Sequence, residues 1–317
     1  MDALSEILKS IKMLHCRAGT LRLSAPWGLA VPQPYIPAAY GVVEGPPCWV
    51  RVGDGPPLQL HPGDVMLVTG PHGLQSSPEA PTTELKDVGA HYGMPRFEPE
   101  VEPDRPLHLA WGGGGAQTRI LALAFGLTGG IDNPLLLSLP AHVVLRADSG
   151  RFPWMASAVA FLTSDPTDTA GYAATARLLA ELIFVSIVRS HLQNEPHSAR
   201  GWLKGLTDPS VGKALQAMHQ RPGDDWTVGS LAQLAGRSRT GFAVRFAELV
   251  GVTPIDYLNQ WRMHLAAERI LRSRANITQL AFELGYTSDT AFRSAFKRRY
   301  GVAPSRFAAR AVQTAAD

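Results

Sequence analysis

The sequence predicts an α+β chain: an N-terminal antiparallel β-barrel, a helical connector, and an all-α C-terminal domain containing a duplicated helix-turn-helix. Three observations carry this. Sixteen of the 25 prolines precede residue 111, where Gly and Pro punctuate short apolar runs, whereas the remainder follows a helical period. Residues 1–206 hold 15 basic and 18 acidic side chains (15 − 18 = −3), and residues 207–317 hold 15 and 9 (15 − 9 = +6), so positive charge is concentrated at the C-terminal end. The basic third also repeats itself at a spacing of 50 residues. An apolar content of 45% with 18% charged residues excludes a disordered chain.

Taken in chain order, Leu4, Ile7, Leu8 and Ile11 fall at helical spacing and predict a short opening helix. Apolar segments at 39–43, 48–52, 65–68 and 120–125, separated by Gly, Pro and Asp turns, read as strands of an antiparallel β barrel or sandwich. The stretch 76–115 has no sustained period and reads as a long loop ending in the glycine run 112–115. That run lacks the Lys-Ser/Thr and helix of a phosphate loop. Beyond Pro153 the period becomes helical. The segment 173–193 is a strongly apolar helix interrupted by Glu181, too short and too charged at its borders to cross a bilayer, and expected either in a core or at a dimer interface. Polar residues from Glu195 to Pro209 read as the linker, giving a sensor domain at 1–150, a helical dimerisation segment at 151–206 and a DNA-binding domain at 207–317. With no basic and apolar leader after Met1, and only Cys16 and Cys48, a cytoplasmic location is expected.

Aligning Ser238 with Ser288 also pairs Thr240/Thr290, Phe242/Phe292, Phe246/Phe296, Gly251/Gly301, Val252/Val302 and Pro254/Pro304. Each copy has a short apolar helix, a glycine turn, a capping Ser and a second helix, which is the grammar of a helix-turn-helix. Phe292 and Phe296 lie four apart on the core face. The opposite edge offers Thr290, Arg293, Ser294 and Lys297, an arrangement suited to the major groove, with Arg293 able to reach guanine O6 and N7. Lys297, Arg298 and Arg299 near the helix end suit phosphate neutralisation. The first copy offers Arg239, Thr240, Ala243, Val244 and Arg245. Between the copies, a helix starting at Pro254 would be about 28 Å long, close to the ~34 Å between successive major-groove faces.

The segment from Trp226 to Ala308 resembles the double helix-turn-helix of the AraC/XylS family of transcription regulators. The matching residues are Thr253-Pro254-Ile255-Asp256-Tyr257-Leu258, Arg262-Met263-His264-Leu265-Ala266 and Leu284-Gly285-Tyr286-Thr287-Ser288, followed by Phe292, Phe296, Lys297, Gly301 and Pro304. The resemblance implies two recognition helices in adjacent major grooves, with base-facing roles for Thr240, Ala243, Val244, Thr290, Arg293 and Ser294. Ala308 departs from the Arg that many relatives carry there.

The N-terminal half resembles the cupin-type sensor domain of one branch of that family, through Pro26-Trp27, Cys48-Trp49, Leu60-His61-Pro62-Gly63-Asp64-Val65, and Asn133-Pro134-Leu135 with Leu139-Pro140. Cupin barrels often hold a metal, which makes His61, His72, His91 and His108 the candidate ligands. The pattern is incomplete, because Leu74 stands where a His is usual and no His-x-His pair occurs on an early strand. A metal-free barrel without cofactor is therefore the expectation. Cys16 and Cys48 are candidate redox sensors by the same resemblance, and Cys16 has the more basic neighbours. The implied partners are double-stranded DNA, a second copy of the chain, an unidentified small-molecule or redox effector, and RNA polymerase. The alternatives are a metal-dependent cupin enzyme with an accessory helical domain, and a DNA-architectural protein without effector.

Overall fold

The computed structural model describes residues 13–32, 37–91, 107–127, 133–147, 152–163, 171–194, 201–272 and 276–307. The predicted opening helix and Ala308 lie outside them. The chain divides into two compact units, one formed by 13–126 with 139–194, the other by 1–12, 127–138 and 195–317. The middle segment expected at 151–206 is thus split, with its first part belonging to the sheet unit and the rest to the helical unit.

The sheet unit contains β1 (Met13–Ser24), β2 (Gly28–Val31), β3 (Ala38–Glu44), β4 (Cys48–Val52), β5 (Leu58–Leu60), β6 (Val65–Val68), β7 (His72–Gln75) and β8 (Thr83–Glu84). After helix α1 (Leu85–His91) come β9 (Leu107–Gly112) and β10 (Gln117–Leu127). Helix α2 (Pro134–Ser138), which follows β10 in the chain, belongs to the other unit, and β11 (His142–Leu145), α3 (Met155–Thr163) and α4 (Tyr172–Asn194) complete this one. The predicted apolar runs become β3, β4, β6 and β10. The expected long loop, however, contains β8, α1 and β9, because the alternation of Leu107, Leu109 and Trp111 supplies a strand that glycine-rich flanks obscure.

The strands form two sheets, ordered β11-β6-β3-β10-β1-β9 and β5-β4-β7-β2-β8. Among the described residues neither closes on itself, and β1 pairs with β9, and β2 with β8, in parallel. The purely antiparallel barrel expectation is corrected there: each parallel pair joins strands far apart in sequence, which long connections permit. Leu21, Leu23, Trp27, Tyr40, Cys48, Val50, Met66 and Ile120 fill a shared core. A polar tie crosses that core, in which Tyr40 on β3 donates to His72 Nε2 on β7 at 2.8 Å while His72 Nδ1–H donates to the Gly70 carbonyl at 2.8 Å.

The six-stranded sheet is apolar on both faces, as the continuous runs of β3 and β6 require. Helices α3 and α4 cover its other side, with Phe184 of α4 edge-on to Phe125 of β10 at 5.3 Å. The apolar helix predicted at 173–193 therefore buries Ala176, Ala180, Ile183, Phe184, Ile187 and Val188 inside its own unit. Leu178 and Leu182 stay exposed.

The helical unit contains α5 (Gly201–Thr207), α6 (Val211–Gln220), α7 (Val228–Leu234), α8 (Arg239–Val250), α9 (Pro254–Arg272), α10 (Ile277–Glu283) and α11 (Asp289–Tyr300). Residues 201–207, expected within the linker, are helical. Trp202 and Leu203 are buried, and Gly205 lets α5 approach Leu215 and Val250 closely. No helix among the described residues is long and apolar enough to cross a membrane.

Candidate nucleic-acid interface

The two copies of the motif fold alike because the same side chains do the same work in each. Thr227 and Ser230 form a capping box at the start of α7, and the Asn276 side chain accepts from two backbone N–H groups at the start of α10. The turns pass through Gly236 (φ +67°) and Gly285 (φ +79°), left-handed positions that favour glycine. Ser238 then caps α8 by accepting from the Gly241 N–H, and Ser288 caps α11 by accepting from the Ala291 N–H, both at 3.2 Å. Phe242, Phe246, Phe292 and Phe296 are completely buried. Phe292 and Phe296 pack with Met263, Ala266, Ala267 and Ile270 of α9, so the connector is part of the second copy's core.

With those faces committed inward, the opposite edges are open. Arg239, Thr240 and Val244 on α8, and Thr290, Ser294, Lys297, Arg298 and Arg299 on α11, are exposed, while Ala243 and Arg293 are half-buried. Arg293 is engaged within its own helix, its Nε donating to Asp289 Oδ2 at 2.7 Å. That contact orients the guanidinium through Nε and leaves its two terminal amino groups outside the pair. Lys297, Arg298 and Arg299 occupy the last turn of α11, where cations also complement the helix dipole.

Arg245 is placed differently from the other candidates. In the repeat it corresponds to Ala295, which packs on the core of its copy. Its Nε donates to Asp208 Oδ2 at 3.0 Å, and Asp208 is almost fully buried. Asp208 Oδ1 accepts from the Ser210 N–H, the Ser210 hydroxyl and the Val211 N–H, capping α6. Arg237 Nε donates to the Ser210 hydroxyl at 2.7 Å. Burial works to raise the Asp208 carboxyl, but these donors hold it well below the usual carboxylate range. Sequence reading missed this network. Its available signal was Asp208-Pro209-Ser210 immediately before an apolar helical run, a cap that reads equally well as linker.

A second missed feature is the aromatic stack under the connector. His219 of α6 lies 4.3 Å from the Trp261 ring, stacks on Tyr257, and shares a 2.7 Å hydrogen bond with the Tyr257 hydroxyl. His264 also stacks on Trp261, with ring centroids 5.3 Å apart. Burial holds the His219 pKa at about 3, with His264 adding to the effect, and holds His264 at about 4, with Arg299 adding.

The sensor-side candidates do not assemble. His61 and His108 are exposed, His72 has both ring nitrogens bonded, and the His91 side chain lies outside the described residues. Among the described residues no three His, Cys, Asp or Glu side chains form a set able to hold a metal. Both cysteines are buried and unbridged. Cys48 faces the shared core, and burial pushes its thiol up to about 12. Strand alternation places Cys16 on the face of β1 opposite Leu21 and Leu23, toward Tyr172 of α4. The pair therefore lies on opposite sides of one sheet, which is unsuited to direct disulfide formation. A cavity of about 570 Å³ lies elsewhere in the same unit, walled by Val42, Val65, Leu145, Met155 and Val159, with Arg119 and Arg146 in its lining.

Comparison with known proteins gives these features a family. The Cupin profile matches residues 2–193, and a Helix-turn-helix domain profile matches residues 231–310. A putative AraC-like transcription regulator of Streptomyces lividans is 31% identical over 97% of this chain and 98% of its own length. One from Streptomyces antibioticus is 30% identical over 97% and 98%. The crystal structure of the DNA-binding domain of AdpA, described as a global transcriptional factor in complex with a target DNA, is 28% identical. It covers 32% of this chain and 92% of that one, with a TM-score of 0.31. The chain belongs to the AraC-like transcription regulators, DNA-binding proteins that here join an N-terminal cupin domain to a C-terminal AraC-type helix-turn-helix domain.

Proposed function

We propose that the chain is a sequence-specific regulator that reads two adjacent major-groove faces of one duplex, α8 entering one and α11 the next. The observation that carries this reading is the duplication itself: two capped recognition helices, each with a phenylalanine pair buried beneath an open polar edge. Arg239, Thr240, Ala243 and Val244 serve the first block, and Thr290, Arg293 and Ser294 the second. Lys297 and Arg298 serve the backbone. We read Arg245 as an anchor for α8 rather than a base reader, because Asp208 holds its Nε.

Selection of bound fragments from genomic DNA by the full-length protein tests this. The expected result is a motif of two blocks about ten base pairs apart. A single block, or no enrichment, would overturn it. Arg293→Ala should cost ~1–3 kcal/mol on the selected site and relax preference at one base pair. Lys297→Ala should weaken binding to all sequences alike and reduce the salt slope by about one. Unchanged ranking of mutated sites by the Arg293 variant would remove it as a base reader.

The cupin unit, in this reading, is a non-enzymatic sensor acting in the cytoplasm. Its cavity is within the ~300–1,000 Å³ range that small molecules occupy, which supports a small-molecule effector over a thiol switch. The protein works as a homodimer and contacts RNA polymerase. Leu178 and Leu182, exposed one turn apart on α4, are the dimer surface we favour. A Leu178→Glu, Leu182→Glu double variant should sediment as a monomer where the parent is a dimer, and a parent that is monomeric at all concentrations would refute this assignment.

A further inference from the structure

Arg262 is a cation of the basic unit that is buried rather than presented to solvent. It lies on α9 and is 9% exposed. Its Nε donates to the Pro222 carbonyl at 2.7 Å and its Nη2 to the Asp224 carbonyl at 2.8 Å. Both acceptors belong to the loop that leads into α7, the first helix of the first copy. The same guanidinium lies over the ring of Tyr286, 5.9 Å from its centre, in the turn of the second copy. That turn is built to receive it: Gly285 has φ +79°, and a side chain there would run into the Arg262 guanidinium. Gly223 likewise leaves no room for a side chain against the Glu283 carbonyl. The approach loop of the first copy, the connector and the turn of the second copy therefore meet around one planar, five-donor group.

The loop is itself braced, so the contact has something firm to hold. Arg221 pairs with Asp224 at 3.1 Å and lies over the Trp226 ring, and the Trp226 indole N–H donates to the Arg221 carbonyl at 2.9 Å. An ammonium could satisfy one carbonyl here. It could not fill the planar slot between two carbonyls and an aromatic face.

We propose that Arg262 is a positioning residue that sets the phase between the two recognition helices and so determines which spacing of the two DNA blocks the protein accepts. The inference rests on the two-block reading above. Each added base pair rotates the second block by about 34° around the duplex, so a rigid pair of readers must reject changed spacings. The test is binding of the full-length protein to duplexes carrying both selected blocks at their native separation and with one or two base pairs inserted or removed, together with duplexes carrying one block.

The parent should lose about tenfold or more in affinity on displacement by two base pairs, of the order of a mismatched base pair. Arg262→Lys and Arg262→Gln should cut that penalty to about threefold or less while leaving single-block affinity within about twofold of the parent. Met263→Ala, which opens a neighbouring core position, should lower thermal stability yet keep the parent's spacing ratio, separating positioning from general destabilisation. An unchanged spacing ratio in the lysine variant overturns the proposal, as does a single-block loss equal to the two-block loss. A parent indifferent to spacing overturns the two-block reading, and the proposal with it.

Discussion

Acidification from about pH 7.5 to about pH 5 is expected to destabilise the helical unit by roughly 4 kcal/mol, through His219 and His264 together. Both pKa values are depressed by burial, to about 3 and about 4, from an ordinary value near 6.5. A depressed histidine takes up its proton in the unfolded chain first. Its contribution is complete above about pH 6.5 and is lost as pH falls toward the folded value, at about 1.4 kcal/mol per pH unit for each group. The cause is structural: both rings stack on Trp261, and His219 Nδ1 and His264 Nε2 have no hydrogen-bond partner among the described residues. Charging either ring would place a cation in a buried aromatic stack. Peptide-resolved hydrogen exchange across α9, corrected for intrinsic rate, measures this in the full-length protein. His264→Gln should remove about half of the slope. A flat profile between those pH values, or an unchanged slope in the variant, would show that the stack does not govern acid stability.

Asp208→Ala should cost about 2–3 kcal/mol, combining a lost helix cap with an anchoring arginine left without its carboxylate. The figure is kept below that for a fully buried pair because the Arg245 side chain is 42% exposed. Asp208→Asn retains an acceptor for the α6 N–H groups and should recover about half of the loss. Because its carboxyl is held low, the contribution of Asp208 persists through the histidine range and fails only at more acidic pH, so the two effects separate in a titration. Denaturant unfolding of parent and variants checks both magnitudes. A cost below about 0.5 kcal/mol for the alanine variant would mean that Arg245 is held by something other than this network.

Much of the helical unit was legible because its signals are local. Capping serines, turn glycines and phenylalanines four apart each act within one helical turn, so Ser238, Gly285 and Phe296 carry their roles in the residue pattern itself. The core strands were legible for a related reason, since runs such as Val65 to Val68 must be buried on both faces wherever they lie. Less was readable in 76–115, where Leu107 to Gly112 finds its partner only by pairing in parallel with β1, a strand more than eighty residues earlier. Arg245 and Arg293 show the limit at the candidate site. Spacing alone gave each a place near the DNA edge, whereas partners at Asp208 and Asp289 separate an anchor from an oriented reader.

Periodicity, capping chemistry and the internal repeat were thus sufficient to establish an α+β chain with a duplicated helix-turn-helix and its open recognition edges. These depend on interactions between residues a few positions apart, which the order of side chains specifies directly. The division of the middle segment, the open two-sheet cupin unit with its parallel pairs, the separation of Cys16 from Cys48 and the junction at Arg262 came only from the folded chain. Each depends on contacts between distant segments, for which the energetic choice among many apolar and polar partners is made by three-dimensional packing rather than by any local pattern.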